Sequence, residues 1–427
     1  MTQATVPVHM LVNDARVGEL MRVLQINSVC GSGSTGRIAE GIHRLANARG
    51  DTSCIAFGRG SAPDGIDAIR IGSGGSVGLH VALSRLSDRQ GFYSTTATRR
   101  LLVEIDRYRP DVVHLHNIHG YYLDVSLLFP HLAAMRVPVV WTLHDCWPLT
   151  GHCAHFDYVG CNRWITGCFD CPQKSSYPRS LIMDRARANW HDKRDFFTMP
   201  ACMEIVVPSD WMKSLVSESY LRDYRTRVIR NGVNTAVFRP TRSDFRQRHG
   251  LQGRVIILGV AAKWSQRKGL DDFVSLARLI ESPGTGLKQF SVVLVGLTAS
   301  QRREMPASIV ALGPTRNALE LAEAYSAADV LFNPTHEDNY PTVNLEALAC
   351  GTPVVTYNTG GSPESVRQGV DGHVLQEKSA EVFAGFLVTQ GLDSLRVDCR
   401  SDLSEEARLA SYLALYDRIT AADGPTG

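Results

Sequence analysis

His336-Glu337-Asp338-Asn339-Tyr340-Pro341-Thr342-Val343-Asn344-Leu345-Glu346-Ala347-Leu348-Ala349-Cys350-Gly351-Thr352-Pro353-Val354-Val355 carries the architecture in miniature. The apolar run before it, Asp329 to Pro334, reads as a strand, and Asn344 to Cys350 reads as a helix. Gly351-Thr352-Pro353 stops that helix and launches a second apolar strand, Val354 to Tyr357. Strand, helix and strand in so short a compass form the repeating unit of a parallel sheet. Two carboxylates, Asp338 and Glu346, lie eight positions apart, one in the loop past the strand and one on the helix. Polar groups at such places face the ligand crevice of an open α/β sheet. Acids so spaced suit hydroxyl-rich parts of one ligand, such as a sugar and a ribose. Acids at a helix entrance also gain from the helix dipole alone, so other parts of the chain must decide.

Outward from this segment the alternation continues. Strand candidates are Arg22–Ser28, Thr52–Phe57, Val112–His116, Val137–Leu143, Glu204–Val207 and Arg227–Ile229. A second series follows at Val255–Ala261, Ser291–Val295, Ile309–Leu312, Val330–Asn333 and Val354–Thr356. Helical stretches such as Gly36–Ala48 and Thr98–Tyr108 fall between them. The pattern predicts an α/β chain of two doubly wound domains, 21–240 and 241–402, divided where polar residues around Arg239-Pro240-Thr241-Arg242 interrupt it. An extension, 1–20, precedes them and an amphipathic helix within 403–420 closes the chain.

At 427 residues the chain exceeds one ordinary core. With 44% hydrophobic and 21% charged residues it reads as globular, and a net charge of +2 gives no concentrated basic face for nucleic acid. No apolar run approaches the ~20 residues that span a bilayer. Residues 1–20 lack the basic start and long apolar centre of a secretory leader, which predicts a cytoplasmic protein. Its ten cysteines are then thiols or metal ligands.

Three further clusters carry chemistry. Gly31-Ser32-Gly33-Ser34-Thr35-Gly36 follows the first strand in G-x-G-x-x-G spacing, so an NAD-dependent oxidoreductase or a sugar-nucleotide epimerase is one reading. Such a site needs an acid after the second strand; that strand is followed by Gly58-Arg59-Gly60. Val113-His114-Leu115-His116-Asn117-Ile118-His119 and Thr142-Leu143-His144-Asp145 place polar groups at two strand ends. An insertion at 146–175 holds Cys153, Cys161 and a C-x2-C knuckle, Cys168 and Cys171, which together make a structural zinc site one reading and plain buried thiols the other. His152 and His155 are alternative ligands.

Residues 336–355 resemble the E-x7-E segment of retaining glycosyltransferases of family four, of the GT-B type, with Asp338 in the place of the first acid. The runs from His114 to Leu123 and from Thr142 to Cys153 resemble a subgroup engaged in colanic-acid-type exopolysaccharide assembly. Val228 to Asn234 and Phe238-Arg239-Pro240 fit the same family, with Asn234 where it carries Asp. The resemblance implies two Rossmann-like domains facing a deep inter-domain cleft, the last helix packing back on the first. It implies a hexosyltransferase that moves sugar from a UDP- or GDP-sugar to a glycan or polyprenyl-linked oligosaccharide, retaining the anomeric configuration.

By the same resemblance, Lys263 and Lys268, with Arg267 between them, neutralise the leaving diphosphate, where the family carries Arg and Lys at that spacing. Gly33 and Gly36 lie near the diphosphate, Gly313 and Arg316 near the base, and Glu346 on the ribose. Asp338, His144 and the Asn339-Tyr340-Pro341 backbone touch the sugar, while His116, Asn117 and His119 are acceptor-side groups. No Asp-x-Asp pair occurs, in keeping with catalysis that requires no cofactor. A lipid-linked acceptor implies peripheral contact with the inner face of the cytoplasmic membrane. A sugar-nucleotide-binding scaffold without catalysis is the non-enzymatic alternative.

Overall fold

A computed structural model describes residues 20–422 except 390, 393, 394, 396 and 399. The expected extension at 1–20 lies outside the described residues apart from Leu20. The chain forms two compact units. The first comprises residues up to Pro208, Met212–Ile229 and the chain from Glu406 on; the second comprises Ser209–Trp211 and Arg230–Glu405.

In the first unit the strands are β1 (Arg22–Val29), β2 (Thr52–Arg59), β3 (Ala68–Arg70), β4 (Val112–Leu115), β5 (Val139–Thr142), β6 (Met203–Val207) and β7 (Arg225–Val228). They build one parallel sheet in the order β3-β2-β1-β4-β5-β6-β7. The central strands are largely apolar and buried, because a parallel sheet is covered on both faces. The last helix, Glu405–Ala422, lays Leu409, Tyr412, Leu413 and Tyr416 into a core with Val23, Val112, Val140 and Val206 of that sheet.

The second unit continues with β8 (Val255–Val260), β9 (Phe290–Val295), β10 (Ile309–Ala311), β11 (Val330–Asn333), β12 (Val354–Tyr357) and β13 (Gly372–Leu375). These are parallel in the order β10-β9-β8-β11-β12-β13, with a separate apolar core on each face. Strand order therefore reverses between β1 and β4 in one sheet and between β8 and β11 in the other.

Two differences from the sequence reading have physical causes. The strands β3 and β13 were not anticipated; both are short, partly exposed edge strands, so neither forms a continuous apolar run. The chain divides at 229/230 and 405/406 rather than at 240/241 and 402/403. Composition marks Pro240 as a break, but pairing decides: Val233 donates to Leu403 O at 2.8 Å and accepts from Glu405 N at 2.9 Å, which ties residues after Ile229 into the second unit. Gly232 is required there, since a Cβ would stand 2.4 Å from Glu405 Cα.

Candidate functional site

Ligands of open α/β sheets bind beyond the strand C-termini at the reversal of strand order. The reversal in the second unit is flanked by the loops after β8 and β11, which hold Lys263 to Gly269 and Pro334 to Pro341. A 3-10 turn, Gln266–Lys268, ends at Gly269, whose φ of 72° and contact with Pro334 (2.3 Å from a built Cβ to its carbonyl O) admit glycine alone. Backbone and side chain then clasp the loops: His336 N–H donates to Arg267 O at 2.9 Å, and Arg267 Nη1 donates to Glu337 O at 2.7 Å. The clasp delivers Lys268 Nζ to an ion pair with Asp338 Oδ2. The Asp338–Asn339 backbone is pressed from the other side by Gly360 and Gly361, and Gly361 N–H donates to Asp338 O at 3.2 Å.

Behind this pair, the helix Thr342–Ala349 starts after Pro341 and buries Glu346, whose Oε2 accepts from Tyr325 OH at 2.8 Å. Burial, together with Glu346, holds the Tyr325 hydroxyl well above the ordinary phenol range, so it stays a donor. Asn344 on the same helix binds Asn333 at the end of β11 and the hydroxyls of Ser362 and Ser365, fixing the helix to the sheet. Asn339 accepts from Ser209 Oγ at 2.7 Å, and Tyr340 is buried, its carbonyl taking Asn231 Nδ2–H at 3.3 Å. Glu337, the competing register for the first acid, is also buried, and it is Asp338 that pairs with Lys268. Lys263 is exposed. Gly313 and Arg316 follow β10, two positions from β8 in the sheet; Gly313 O accepts from Gly296 N at 3.2 Å, and the exposed Arg316 guanidinium lies on Glu320.

At the reversal in the first unit histidine rings meet hydrogen-bonding side chains. Gln25 on β1 donates to Ala39 O at 2.9 Å and turns its Oε1 to His116, whose Nε2–H donates to it at 3.1 Å. His116 Nδ1 therefore accepts from His144 Nε2–H at 3.1 Å. Burial drives both rings below the ordinary imidazole range, His144 to about 4, so the relay is uncharged near neutrality. Beside it Tyr177 OH, His119 and Asp145 form a second chain, with 3.0 Å at Nδ1 and 2.7 Å at Nε2. Burial pushes the Asp145 carboxyl up, but His119, His155 and the Trp147 N–H outweigh it and hold it at about 2. Asn117 is half-buried, with its N–H on Asn27 Oδ1 at 3.2 Å. His114 is structural: it lies wholly inside, between Thr142 Oγ1 (2.7 Å) and Tyr416 OH (2.5 Å) of the last helix.

The glycine loop is shorter than expected. The first helix begins at Gly33 rather than Gly36, so both glycines lie in its first turn, which has no side-chain cap at Ser32. Gly33 is exposed, and Gly36 is packed against Val29 and Gly31. Cys153, Cys161, Cys168 and Cys171 line one cavity in the insertion. Sequence reasoning missed Gln25, Tyr325, Tyr177 and the Gly360-Gly361 brace. Their chemistry is ordinary, and only the fold brings them to the site.

Residues 33–237 match the family described as Glycosyltransferase Family 4, and residues 253–389 match Glycosyl transferases group 1. The chain is 27% identical over 380 residues to WcaC of Escherichia coli (strain K12), provisionally assigned as a colanic acid biosynthesis glycosyl transferase; the match covers 84% of this chain and 88% of that protein. Sucrose-phosphate synthase from Thermosynechococcus elongatus superposes with a TM-score of 0.65 at 17% identity, over 94% of this chain and all (100%) of that one. HepE of Anabaena, solved in complex with UDP-glucose, superposes with a TM-score of 0.56 at 15% identity, over 94% and 99%. The two matched segments follow the two parallel-sheet units. The chain belongs to the glycosyltransferases of the GT-B fold, with a family-four domain followed by a group 1 domain.

Proposed function

We propose that the chain transfers a hexosyl group from a nucleotide-sugar donor to a hydroxyl of a growing bacterial exopolysaccharide, with retention of anomeric configuration. The observation that carries this reading is the clasp of Arg267, Lys268 and Asp338 at the strand reversal of the second sheet, with Glu346 on the helix behind it. The cations there suit a diphosphate, and the acids suit sugar and ribose hydroxyls. A fold neighbour that holds UDP-glucose supports the donor class, and the relation to WcaC supports the polysaccharide.

In this reading Lys268 stabilises charge developing on the leaving diphosphate, with Arg267 and Lys263 adding to the field. Such a preorganised contact is worth roughly 3–4 kcal/mol of transition-state stabilisation. Glu346 holds the ribose, with Tyr325 orienting it; Gly313 and Arg316 border the base. Asp338 and the Asn339-Tyr340-Pro341 backbone hold the sugar. Of the first-unit groups, His144 serves the sugar, His116, Asn117 and His119 the acceptor, and the turn at Gly33 and Gly36 the phosphate. The leaving phosphate oxygen accepts the acceptor's proton on the face it vacates, so the reaction needs neither a separate base nor a metal. No helix among the described residues is long and apolar enough to cross a membrane. The proposed place of action is the cytoplasmic face, where a lipid-linked acceptor presents its glycan.

The test is product analysis. Purified protein is given UDP- and GDP-hexoses with a polyprenyl-linked oligosaccharide, and the anomeric proton coupling of the new linkage is read by NMR. An α-linked donor giving an α-linked product supports retention; inversion contradicts it, and absence of transfer with every donor contradicts the substrate class.

A further inference from the structure

Between Cys146 and Arg185 the chain forms no strand and no α-helix, only the 3-10 turns Trp147–Leu149 and Arg163–Ile165. Irregular segments of this length inside a compact unit need something beyond backbone pairing to hold them. The structure points to what that is. We propose that this segment is a zinc site, with the metal held by the thiolates of Cys153, Cys168 and Cys171 and by Nε2 of His152, and with Asp88 orienting the imidazole.

His152 carries the argument. It is 2% exposed, and its Nδ1 meets the carboxylate of Asp88, itself 4% exposed, at 2.5 Å. The other carboxylate oxygen of Asp88 accepts the Arg185 N–H at 2.8 Å, so the acid is fixed. With Nδ1–H given to Asp88, the lone pair lies on Nε2, and that buried atom has no hydrogen-bond partner. Metal-bound histidines characteristically give their other ring N–H to a carboxylate, which fixes the tautomer and raises the basicity of the ligating nitrogen.

His152 shares one narrow cavity with Cys153, Cys161, Cys168 and Cys171. The sulfur chemistry there fits a cation. Gly151 N–H donates to Cys168 Sγ at 3.2 Å, a contact that favours the thiolate. Cys153 and Cys171 are hydrogen-bonded to each other. Lys193 is tied into the same segment. It is buried over the Trp147 ring, 3.4 Å from the centroid, and donates to the carbonyls of Trp147 and Thr150 at 2.9 and 3.0 Å.

Among the described residues no three His, Cys, Asp or Glu side chains already stand close enough to hold a metal. Binding therefore turns the thiols inward, each releasing its proton to solvent. Cys161 lines the same cavity, but His152 brings a buried, carboxylate-oriented nitrogen without a hydrogen-bond partner, so the imidazole is taken as the fourth ligand.

The experiment is metal analysis by inductively coupled plasma mass spectrometry on full-length protein, purified under reducing conditions and dialysed. One zinc per chain is expected, kept in Cys161→Ser and lost in His152→Ala and Cys168→Ser. Should those variants fail to fold, cobalt exchanged into the wild-type protein gives the intense visible bands of a tetrahedral site with thiolate charge transfer. Folded, reduced wild-type protein without zinc, or with a cobalt spectrum typical of an octahedral oxygen site, overturns the proposal. So does zinc kept by His152→Ala and lost by Cys161→Ser, which would assign four thiolates and leave the histidine outside.

Discussion

The two strand reversals of this molecule are built alike and furnished differently. In the second unit the loops after β8 and β11 present charge: Lys268 against Asp338, Arg267 across the Glu337 carbonyl, Glu346 behind. In the first unit the loops after β4 and β5 present neutral rings, because His116 and His144 are held below the usual imidazole range by burial. Charge placed in a partly buried loop is suited to phosphate, whose own charge compensates it. Uncharged donor–acceptor chains are suited to hydroxyls, which offer and accept hydrogen bonds without demanding a counter-charge. One topology thus carries two kinds of side chain at its strand ends.

The largest effect should come from removing the cation. Lys268→Ala should lower kcat about 10²–10³-fold at saturating donor, and Lys263→Ala, an exposed residue, far less. Equal losses in the two would erase the distinction between the clasped and the exposed lysine. Glu346→Ala leaves the buried Tyr325 hydroxyl without its acceptor and, in the proposed role, removes a contact to the ribose. About 1–3 kcal/mol follows, read as a rise in donor KM. Asp145→Asn removes the charged partner of His119 in the neutral-ring site; acceptor KM should rise about tenfold while donor KM holds. A donor-side effect there would break the division of labour between the units.

Stability should also distinguish the two regions by pH. The His144 ring titrates at about 4 when folded against 6.5 when free. Between those values the unfolded chain binds a proton that the folded chain refuses, so stability falls as pH drops from about 6.5 to about 4. His114 and His116 deepen the same slope. Melting temperature followed over that range should decline, and His144→Asn should flatten it. The smallest effect is expected at Tyr416→Phe, which deletes the hydrogen bond from the last helix to His114 and costs about 1 kcal/mol in chemical denaturation.

Much of this was legible before any coordinates. Strands such as β8 and β11 are apolar on both faces, and their C-terminal loops were marked by Lys, Asp and His. Edge strands β3 and β13 escaped because half-exposed residues carry no apolar signature. Partners escaped too. Gln25 lies 91 positions from His116, Asp88 lies 64 from His152, and Tyr325 lies 21 from Glu346. No periodicity links such pairs; the folded sheet does.

Donor binding at the second reversal is the central claim, and thermal stabilisation tests it most directly. Melting curves of the wild-type protein and Lys268→Ala would be compared with UDP, GDP, ADP and NAD at matched concentrations. A ligand that binds only the folded state raises stability by RT ln(1 + [L]/Kd). The account predicts a rise with one nucleoside diphosphate that is much reduced in Lys268→Ala, and none with NAD. A rise with NAD alone, unchanged in Lys268→Ala, would contradict it and return the glycine turn at Gly33 to a dinucleotide site.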